Sequence, residues 1–362
     1  MTTTTVVTRR GWSQSLFATT TLALAPAMLA MLAISLGAFG TLQTFKTYQK
    51  TRILKDDMFD ADAVVRVVTK IQVERGISCL YLSLANRTER TLVWRNVTDA
   101  RTQTDAAIEQ WWASKSGSTS RRVVSRWRHS VSELRALVGQ RDADALQRDT
   151  TVDVLQLLEL YTAVIVDLLH RVTSHFSQGT DAAFWQDVAS YQLLLYAQDY
   201  LGLKRATGGA IIAQGIKNAS VDTVRVFCNT SAAARVLFAK STLKGQRWLK
   251  AEYETNLREI ELEMSHIDRM ERVIFDGRRQ LDENGWSKQS TDQNDDEIAQ
   301  TNVKPMEWFA NVTTQIEVYD RLGHNVWAQL VHMLERKATD ALHALLIDAA
   351  TIVVAYLLCP LL

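Results

Sequence analysis

The sequence predicts an all-α protein made of two antiparallel four-helix bundles, pseudo-duplicated along the chain and flanked by transmembrane helices. Only three prolines and 15 glycines occur among 362 residues, and so few helix-breaking residues favour long helices over a sheet protein with many turns. Apolar residues recur at alternating spacings of three and four through most segments, which is typical of amphipathic helices. One apolar stretch near each end is long enough to cross a bilayer.

These stretches define the predicted domain organisation. The stretch at 16–40 predicts a retained signal anchor, a first transmembrane helix, behind a short cytoplasmic N-terminus at 1–15. The stretch at 344–362 predicts a second transmembrane helix at the chain end, although it carries Asp348; a hydrophobic end helix packed on the domain is the alternative. Between them we expect an extracellular sensor domain at 41–340, with halves at about 50–176 and 180–340.

Helical patterns follow one another with short links in both halves, as expected for bundles. The first half has patterns at 41–84, 90–113, 121–139 and 152–175, and the second at 181–213, 221–241, 248–275 and from 305 onward. The polar, acidic segment 282–303 predicts a mobile loop. Pro305 suits the first turn of the last helix.

One arginine in each half stands on a helix face where the pattern calls for a hydrophobe. The two faces are Ala61, Val64, Val68, Ile71, Arg75, Ser78, Leu82 and Tyr191, Leu194, Gln198, Leu201, Arg205, Gly208, Ile212. Neither arginine has a carboxylate three or four residues away, and burying an unpaired guanidinium is costly. We therefore expect a small bound anion to neutralise both charges. The alternative is that each arginine reaches water or pairs with an acid on a neighbouring helix.

The residues around both arginines resemble those of a known family. The run 70–83, with its Glu-Arg-Gly-x-Ser core, resembles the first signature of the nitrate- and nitrite-sensing (NIT) domain. The run 200–209 is similar to the second signature, and Glu307-Trp-Phe-Ala310 with the Thr-rich apolar helix after it is a third echo. The resemblance spans roughly residues 50 to 340. Lys204 departs from the pattern, because the family usually has glutamate there.

This resemblance implies a binding site for nitrate or nitrite, with the two arginines facing one pocket and holding the anion through guanidinium forks. The candidate anion-binding residues are Arg75, Gly76, Ser78, Arg205, Gly208 and Gly209. Ser78 would donate a further hydrogen bond, and the glycines would let the helices approach closely or leave room for the anion. Closure of the two halves around the anion would move one membrane span relative to the other.

Five Asn-x-Ser/Thr triplets indicate that the middle of the chain lies outside the cell. The acceptors are Asn86, Asn96, Asn218, Asn229 and Asn311. Half of all asparagines begin such a triplet, and none of the five lies in either apolar stretch. Together with the resemblance, they predict a two-span plasma-membrane glycoprotein, the sensory portion of a receptor-type guanylate cyclase whose output module lies outside this chain.

The composition argues against other classes of protein. A net charge of +1 provides no basic field for nucleic acid, and three cysteines without a CxxC pair argue against a disulfide scaffold or zinc ribbon. No nucleotide-binding, metalloprotease or hydrolase motif occurs. We expect no enzyme activity within the chain, no cofactor and no metal. A helical adhesion or structural ectodomain without ligand is the alternative function, and the sequence leaves open whether the chain forms a homodimer.

Overall fold

The structure is a computed structural model, and it describes residues 11–114, 118–148, 154–175, 182–216, 218–245, parts of 248–274, and 303–358. Every element within these ranges is an α-helix, and no strand occurs in them. The all-helical prediction is therefore confirmed. Residues 1–10, nearly all of the loop predicted at 282–303, and the last four residues of the second apolar stretch lie outside the described residues.

Seven helices have defined bounds within the described part of the chain. They are α1 (Gly11–Ser83), α2 (Arg87–Ala113), α3 (Ser118–Arg148), α4 (Val154–His175), α5 (Ala182–Gln214), α6 (Val221–Lys244) and α7 (Pro305–Leu358). Further helical residues lie between 248 and 274. The bounds match the predicted patterns within a few residues, except that α3 continues past Gly139. The scarcity of glycine and proline after the first apolar stretch predicts that this stretch runs without a break into the helix that carries Arg75, and α1 does so.

Local chemistry explains where several of these helices begin and end. Asn86 caps α2, because its side-chain oxygen accepts a hydrogen bond from the Thr88 N–H at 2.8 Å. Ser220 caps α6 in the same way through the Thr223 N–H at 3.0 Å. Between α5 and α6 the chain turns at Gly215, whose φ of 81° lies in the left-handed region that favours glycine.

The chain divides into two compact units, residues 1–55 with 332–362 and residues 56–331. In the first unit, the start of α1 and the end of α7 form an antiparallel pair. The Thr44 hydroxyl donates to Asp348 Oδ2 at 3.0 Å, and Lys55 Nζ lies 2.7 Å from Glu335 Oε1. The carboxylate that interrupts the second apolar stretch is thus hydrogen-bonded to the neighbouring helix.

Much of the apolar surface described in this first unit is exposed. Exposed apolar side chains include Met28, Met31, Leu32, Leu36, Phe39, Leu346, Ile347, Val353, Val354 and Leu357. Among the described residues, α7 is the helix long and apolar enough to cross a membrane, with a window of mean hydropathy 1.6 and no buried residue. The stretch 16–40 is helical, but most of its side chains are not among those described, so the first predicted span stays a prediction.

The second unit contains α1 and α5 packed side by side in parallel. Gln72 hydrogen-bonds to Asp199, and about two turns further along both helices Leu80 contacts Gly209. The residues of α1 and α5 that face each other are therefore separated by a nearly constant 127 to 129 positions in the sequence. This separation matches the offset between the two helix faces that contain Arg75 and Arg205, so parallel packing brings these two faces together.

Two further helices pack on this pair, α7 on α5 and α4 on α1. In α7, Trp308 packs on Gly208 and Trp327 packs on Tyr191 with ring centroids 5.3 Å apart, so α7 runs antiparallel to α5. In α4, Thr162 accepts a hydrogen bond from Arg75 near the end of α1, and the later residue Arg171 reaches Asp60, which lies earlier in α1. Helix α4 therefore runs antiparallel to α1.

The contact between Trp308 and Gly208 makes a prediction about stability. A Cβ atom at Gly208 would lie 2.5 Å from the Trp308 indole carbons, whereas a Cβ atom at exposed Gly139 of α3 would meet nothing within 4 Å. We expect Gly208→Ala to lower the free energy of unfolding by about 1–3 kcal/mol through overpacking. Gly139→Ala should raise it by about 0.5–1 kcal/mol, because alanine favours the helix.

Thermal unfolding of the full chain in mild detergent, followed by circular dichroism at the helix band, measures both changes. Equal effects of the two substitutions would show that Trp308 does not constrain Gly208.

Candidate functional site

Arg75 of α1 is fully buried and reaches across to α5 and α4. Its Nη2 donates to Asp199 Oδ1 at 2.9 Å and to the Asp199 carbonyl at 3.1 Å, and its Nη1 donates to Thr162 Oγ1 at 3.2 Å. The guanidinium lies so close to Gly202 that a Cβ atom there would be 2.7 Å from Nη2. Arg75 is thus held by hydrogen bonds to a carboxylate, a carbonyl and a hydroxyl, and its guanidinium lies against the backbone at Gly202.

Arg205 of α5 makes the reciprocal contacts with α1 and α7. Its Nη2 donates to the Gln72 carbonyl at 3.0 Å, and its Nη1 donates to Thr313 Oγ1 at 3.0 Å. The guanidinium lies over the Phe309 ring, 4.6 Å from the centroid, and a Cβ atom at Gly76 would be 3.1 Å from its Nε. Only 1% of Arg205 is exposed.

The two arginines therefore form one pseudo-symmetric cluster. Each donates to a backbone carbonyl of the other arginine's helix and rests on a glycine of that helix. Each also donates to a threonine, Thr162 or Thr313, whose hydroxyl bonds the carbonyl four residues earlier. The prediction that Arg75 and Arg205 lie close together is confirmed, and the matched contacts extend the repeat seen in sequence.

The expectation that both arginines lack an acid partner is wrong for Arg75. Asp199 pairs with it from α5, the partner that only a search across helices finds, because the acid is far from Arg75 in sequence. For Arg205 the expectation holds: no carboxylate forms a salt bridge with it within the described ranges. The cluster thus contains two buried cations and one acid.

Electrostatics make Arg205 the unfavourable member of the cluster. Burial and the nearby Arg75 charge lower the pKa of Arg205 to about 9, and the exposed Glu317 opposes the shift only in part. Because the pKa in the folded chain is below the unfolded value, the protonated group opposes folding fully below pH 9, and the cost falls as pH rises above it. The Nε–H groups of Arg75 and Arg205 are buried and make no hydrogen bond with the described residues.

The residue before each arginine is also buried and has its own counter-charge. Glu74 accepts two hydrogen bonds from Arg135, at 2.8 and 2.9 Å, and one from the Tyr161 hydroxyl at 3.1 Å. At the matching position Lys204 pairs with Glu271, which also accepts from Arg235 at 2.7 Å. Burial lowers the pKa of Lys204, and the Glu271 charge opposes that shift. The departure at Lys204 is therefore compensated locally and leaves the charge of the arginine cluster unchanged.

The three candidate glycines make different contacts in the structure. Gly76 lies directly against Arg205, as expected for close approach. Gly208 lies against Trp308, and Gly209 lies 3.7 Å or more from Leu80 and Trp308. The glycine that receives Arg75 is Gly202, which the sequence did not single out.

Ser78 is buried near the phenol of Tyr161. Burial raises the pKa of Tyr161, the Glu74 charge raises it further, and the nearby Ser78 hydroxyl lowers it. The Ser78 hydroxyl itself makes no hydrogen bond with the described residues. Ser78 thus lies beside the Glu74 network, and its contact with an anion stays a prediction.

Sequence reasoning missed several members of the cluster. Asp199 and Gly202 stand six and three residues before Arg205, and the helical spacing that places them on the Arg75 side was available in the sequence. Thr162 and Thr313 each stand one helical turn after an apolar residue, Leu158 and Phe309 respectively. The carbonyl of Gln72 had no signal, because any residue carries that group.

Comparisons with known proteins agree with this arrangement. Residues 66–334, about three quarters of the chain, match the family model described as nitrate and nitrite sensing. The fold is similar to a solved structure described as the NasR transcription antiterminator, with a TM-score of 0.54 and 15% sequence identity. That similarity covers 86% of this chain and 82% of the other. No curated protein matches the chain.

The unequal charge balance predicts opposite effects of removing the two arginines. Arg75→Met leaves the Asp199 carboxylate buried without its cation, and we expect the free energy of unfolding to fall by about 3–5 kcal/mol. Arg205→Met removes a buried cation that has no acid partner in the described structure, and methionine keeps much of the volume. We expect its free energy of unfolding to stay unchanged or to rise.

Denaturant unfolding of both variants and the parent, at neutral pH and without added nitrate, measures the difference. Comparable destabilisation in both variants would mean that Arg205 is neutralised by the protein itself.

Proposed function

This chain belongs to the nitrate- and nitrite-sensing (NIT) family, and we propose that its Arg75–Arg205 cluster binds one nitrate or nitrite ion. The charge balance of the cluster supports this. Two fully buried guanidinium groups lie together, and among the described residues only Arg75 has a carboxylate partner, Asp199, so the charge of Arg205 has no salt-bridge partner there. A single monovalent anion cancels it.

The free donors of the cluster fit a small planar anion. Arg205 uses one N–H from each Nη for protein contacts and leaves its Nε–H free, so the edge formed by Nε and Nη2 retains donors for a bidentate contact. Nitrate and nitrite present two oxygens in the same geometry as a carboxylate, which a guanidinium fork matches. Arg75 uses its Nη2 for two hydrogen bonds to Asp199, so its role is to hold that acid and add charge to the site.

We propose that the two halves are four-helix bundles joined along α1 and α5. An anion shared by Arg75 and Arg205 would favour the closely packed arrangement of these helices over any looser one. Helices α1 and α7 each contribute residues to both compact units of the chain. They are therefore the elements through which a change at the anion site would reach the membrane-proximal residues.

The setting we propose is a two-span plasma-membrane receptor with the NIT domain outside the cell and a guanylate cyclase output beyond this chain. The exposed apolar side chains near 28–45 and 342–357 support membrane insertion. Four of the five acceptor asparagines are exposed, which supports the outward orientation. We propose no enzyme activity for the chain itself.

A second candidate function is a structural or adhesive ectodomain without ligand. The salt bridge between Arg75 and Asp199 favours it, because that arginine is already neutralised. Arg205 argues against it, since a purely structural core would gain by replacing an uncompensated cation with an apolar residue. Anion titration separates the two functions.

We expect the parent protein to bind one nitrate per chain, and Arg205→Met to weaken that affinity about ten-fold to a hundred-fold. The loss corresponds to one charge-assisted contact worth about 1.5–3 kcal/mol. Arg205→Lys should recover only part of the affinity, because an ammonium restores the charge and lacks the planar fork. Isothermal titration with nitrate, nitrite and chloride measures each constant.

Arg225→Met is the matched control for the loss of one positive charge. Arg225 lies exposed on α6, paired with Asp222, so its removal should leave nitrate affinity unchanged. Absence of nitrate and nitrite binding to the parent would leave the structural ectodomain as the better function.

We expect N-glycans on four of the five acceptors when the chain is expressed in animal cells. Asn86, Asn96, Asn218 and Asn229 are exposed, whereas the side chain of Asn311 is half-buried and its Nδ2 lies 3.4 Å from Met270 Sδ. Glycosidase treatment should increase gel mobility, and single Asn→Gln variants should identify the occupied sites. An unchanged mobility would contradict the extracellular orientation.

A further inference from the structure

The anion site we propose has no exposed edge, so an ion must reach it through the protein. Arg75 is 0% exposed and Arg205 is 1% exposed, and each guanidinium lies against the backbone of the opposite helix. One path to it runs along the groove between α1 and α5, towards one end or the other. The two ends differ in their chemistry.

The end towards the C-termini of α1 and α5 is apolar and filled. Trp308 covers Gly208, and Leu80 contacts Gly209. The cavity found there has a volume of only about 10 Å³ and lies among Cys79, Leu158 and Ala210. Moving a charged ion through such a wall without hydrogen-bond partners is costly, so this end does not suit anion passage.

The opposite end opens into a cavity of about 330 Å³ among α1, α2, α5 and α7. Its polar lining includes Thr69, Gln103 and Gln198, and its charged lining consists of two acids and two bases, Asp62, Asp320, Arg66 and Lys70. Arg66 is paired with Asp62 at 2.7 Å. This volume is far larger than a bare four-atom anion needs, and it accommodates an ion with part of its hydration shell. Lys70 Nζ donates to the neutral Gln103 amide at 3.0 Å, so its charge is available to an entering anion.

Helical spacing places this cavity next to the arginine cluster, along the same two helices. On α5, Gln198 lines the cavity and lies one turn before Gly202, which contacts the Arg75 guanidinium. On α1, Thr69 lines the cavity three residues before Gln72, whose carbonyl accepts from Arg205. Because one turn of helix rises only about 5.4 Å, the floor of the cavity lies next to the cluster.

One side-chain pair lies at the inner end of the cavity. Gln198 is 3% exposed, and its Nε2 donates to Asp320 Oδ1 of α7 at 3.1 Å. The pair joins α5 to α7 one turn from Gly202, where an ion moving towards the arginines would meet it. An amide side chain is neutral and changes rotamer without a charge cost, so it suits a barrier that opens transiently.

We propose that this cavity is the entry route of the anion, with Lys70 as a cation on its wall and the Gln198–Asp320 pair as the barrier before the arginine cluster. The proposal rests on anion binding at Arg75 and Arg205, and it adds the path and the rate-limiting step. A route that is separate from the binding site makes a specific kinetic statement. Narrowing it must slow association and dissociation by the same factor and leave Kd unchanged.

Filling the cavity from α2 tests this statement. Ala107 and Gln110 line the cavity without touching the arginine cluster, and phenylalanine at either position narrows it without adding a tryptophan signal. Ala239→Phe, on the exposed face of α6, is the matched control. Stopped-flow tryptophan fluorescence of the full chain in detergent measures both rates, and Trp308 supplies the signal because its Nε1 donates to the Arg205 carbonyl at 3.1 Å.

With nitrate as the probe, Ala107→Phe and Gln110→Phe should each slow association and dissociation at least ten-fold and leave Kd within two-fold of the parent. Gln198→Ala should speed both rates, and Lys70→Gln should slow association at low salt with a smaller effect at high salt. Ala239→Phe should match the parent.

Parent rates in both narrowed variants would overturn the route while leaving nitrate binding intact. A changed Kd that arises from dissociation alone would also overturn it, because the cavity would then be the binding site. Absence of nitrate binding in the parent would remove the route together with the function on which it rests.

Discussion

Two guanidinium groups buried in one helix contact are the constraint on which the centre of this protein depends. Each must find carbonyl and hydroxyl acceptors without water, and both must approach a neighbouring backbone closely. Gly76 and Gly202 supply the approach, and Thr162 and Thr313 supply matched hydroxyls. Parallel packing of α1 and α5 is what brings these groups into register.

Three buried charges in and beside the cluster each form a salt bridge, whereas Arg205 forms none with the described residues. Glu74 has Arg135, Lys204 has Glu271, and Arg75 has Asp199. The residue before the arginine is negative in one half and positive in the other, and each half supplies a partner of opposite charge for it. What the fold requires is a neutral pair at that position, and either sign satisfies it.

In the proposed function, the buried Arg205 charge would couple anion binding to helix packing. Without an anion, the desolvation of Arg205 and its repulsion by Arg75 oppose the close α1–α5 contact, as the lowered pKa of Arg205 shows. An anion that removes this cost stabilises the packed state by its differential affinity for that state. Sensing would then need no large rearrangement, because the helix contact proposed to bind the ion is also the contact proposed to join the two halves.

The sequence by itself determined the helical class, the helix bounds to within a few residues, the pairing of Arg75 with Arg205, and the family. These follow from local properties: scarce prolines, three-and-four spacing, and two short signatures one half-chain apart. Only the tertiary structure decided that Asp199 neutralises Arg75 and that nothing comparable reaches Arg205 in the described residues. It also decided that Gly208 makes room for the Trp308 ring and that Gly202 makes room for the Arg75 guanidinium. The physical reason is that a salt bridge or a close backbone approach depends on which faces of separate helices meet. Spacing along one helix fixes each face but does not say which other face packs against it.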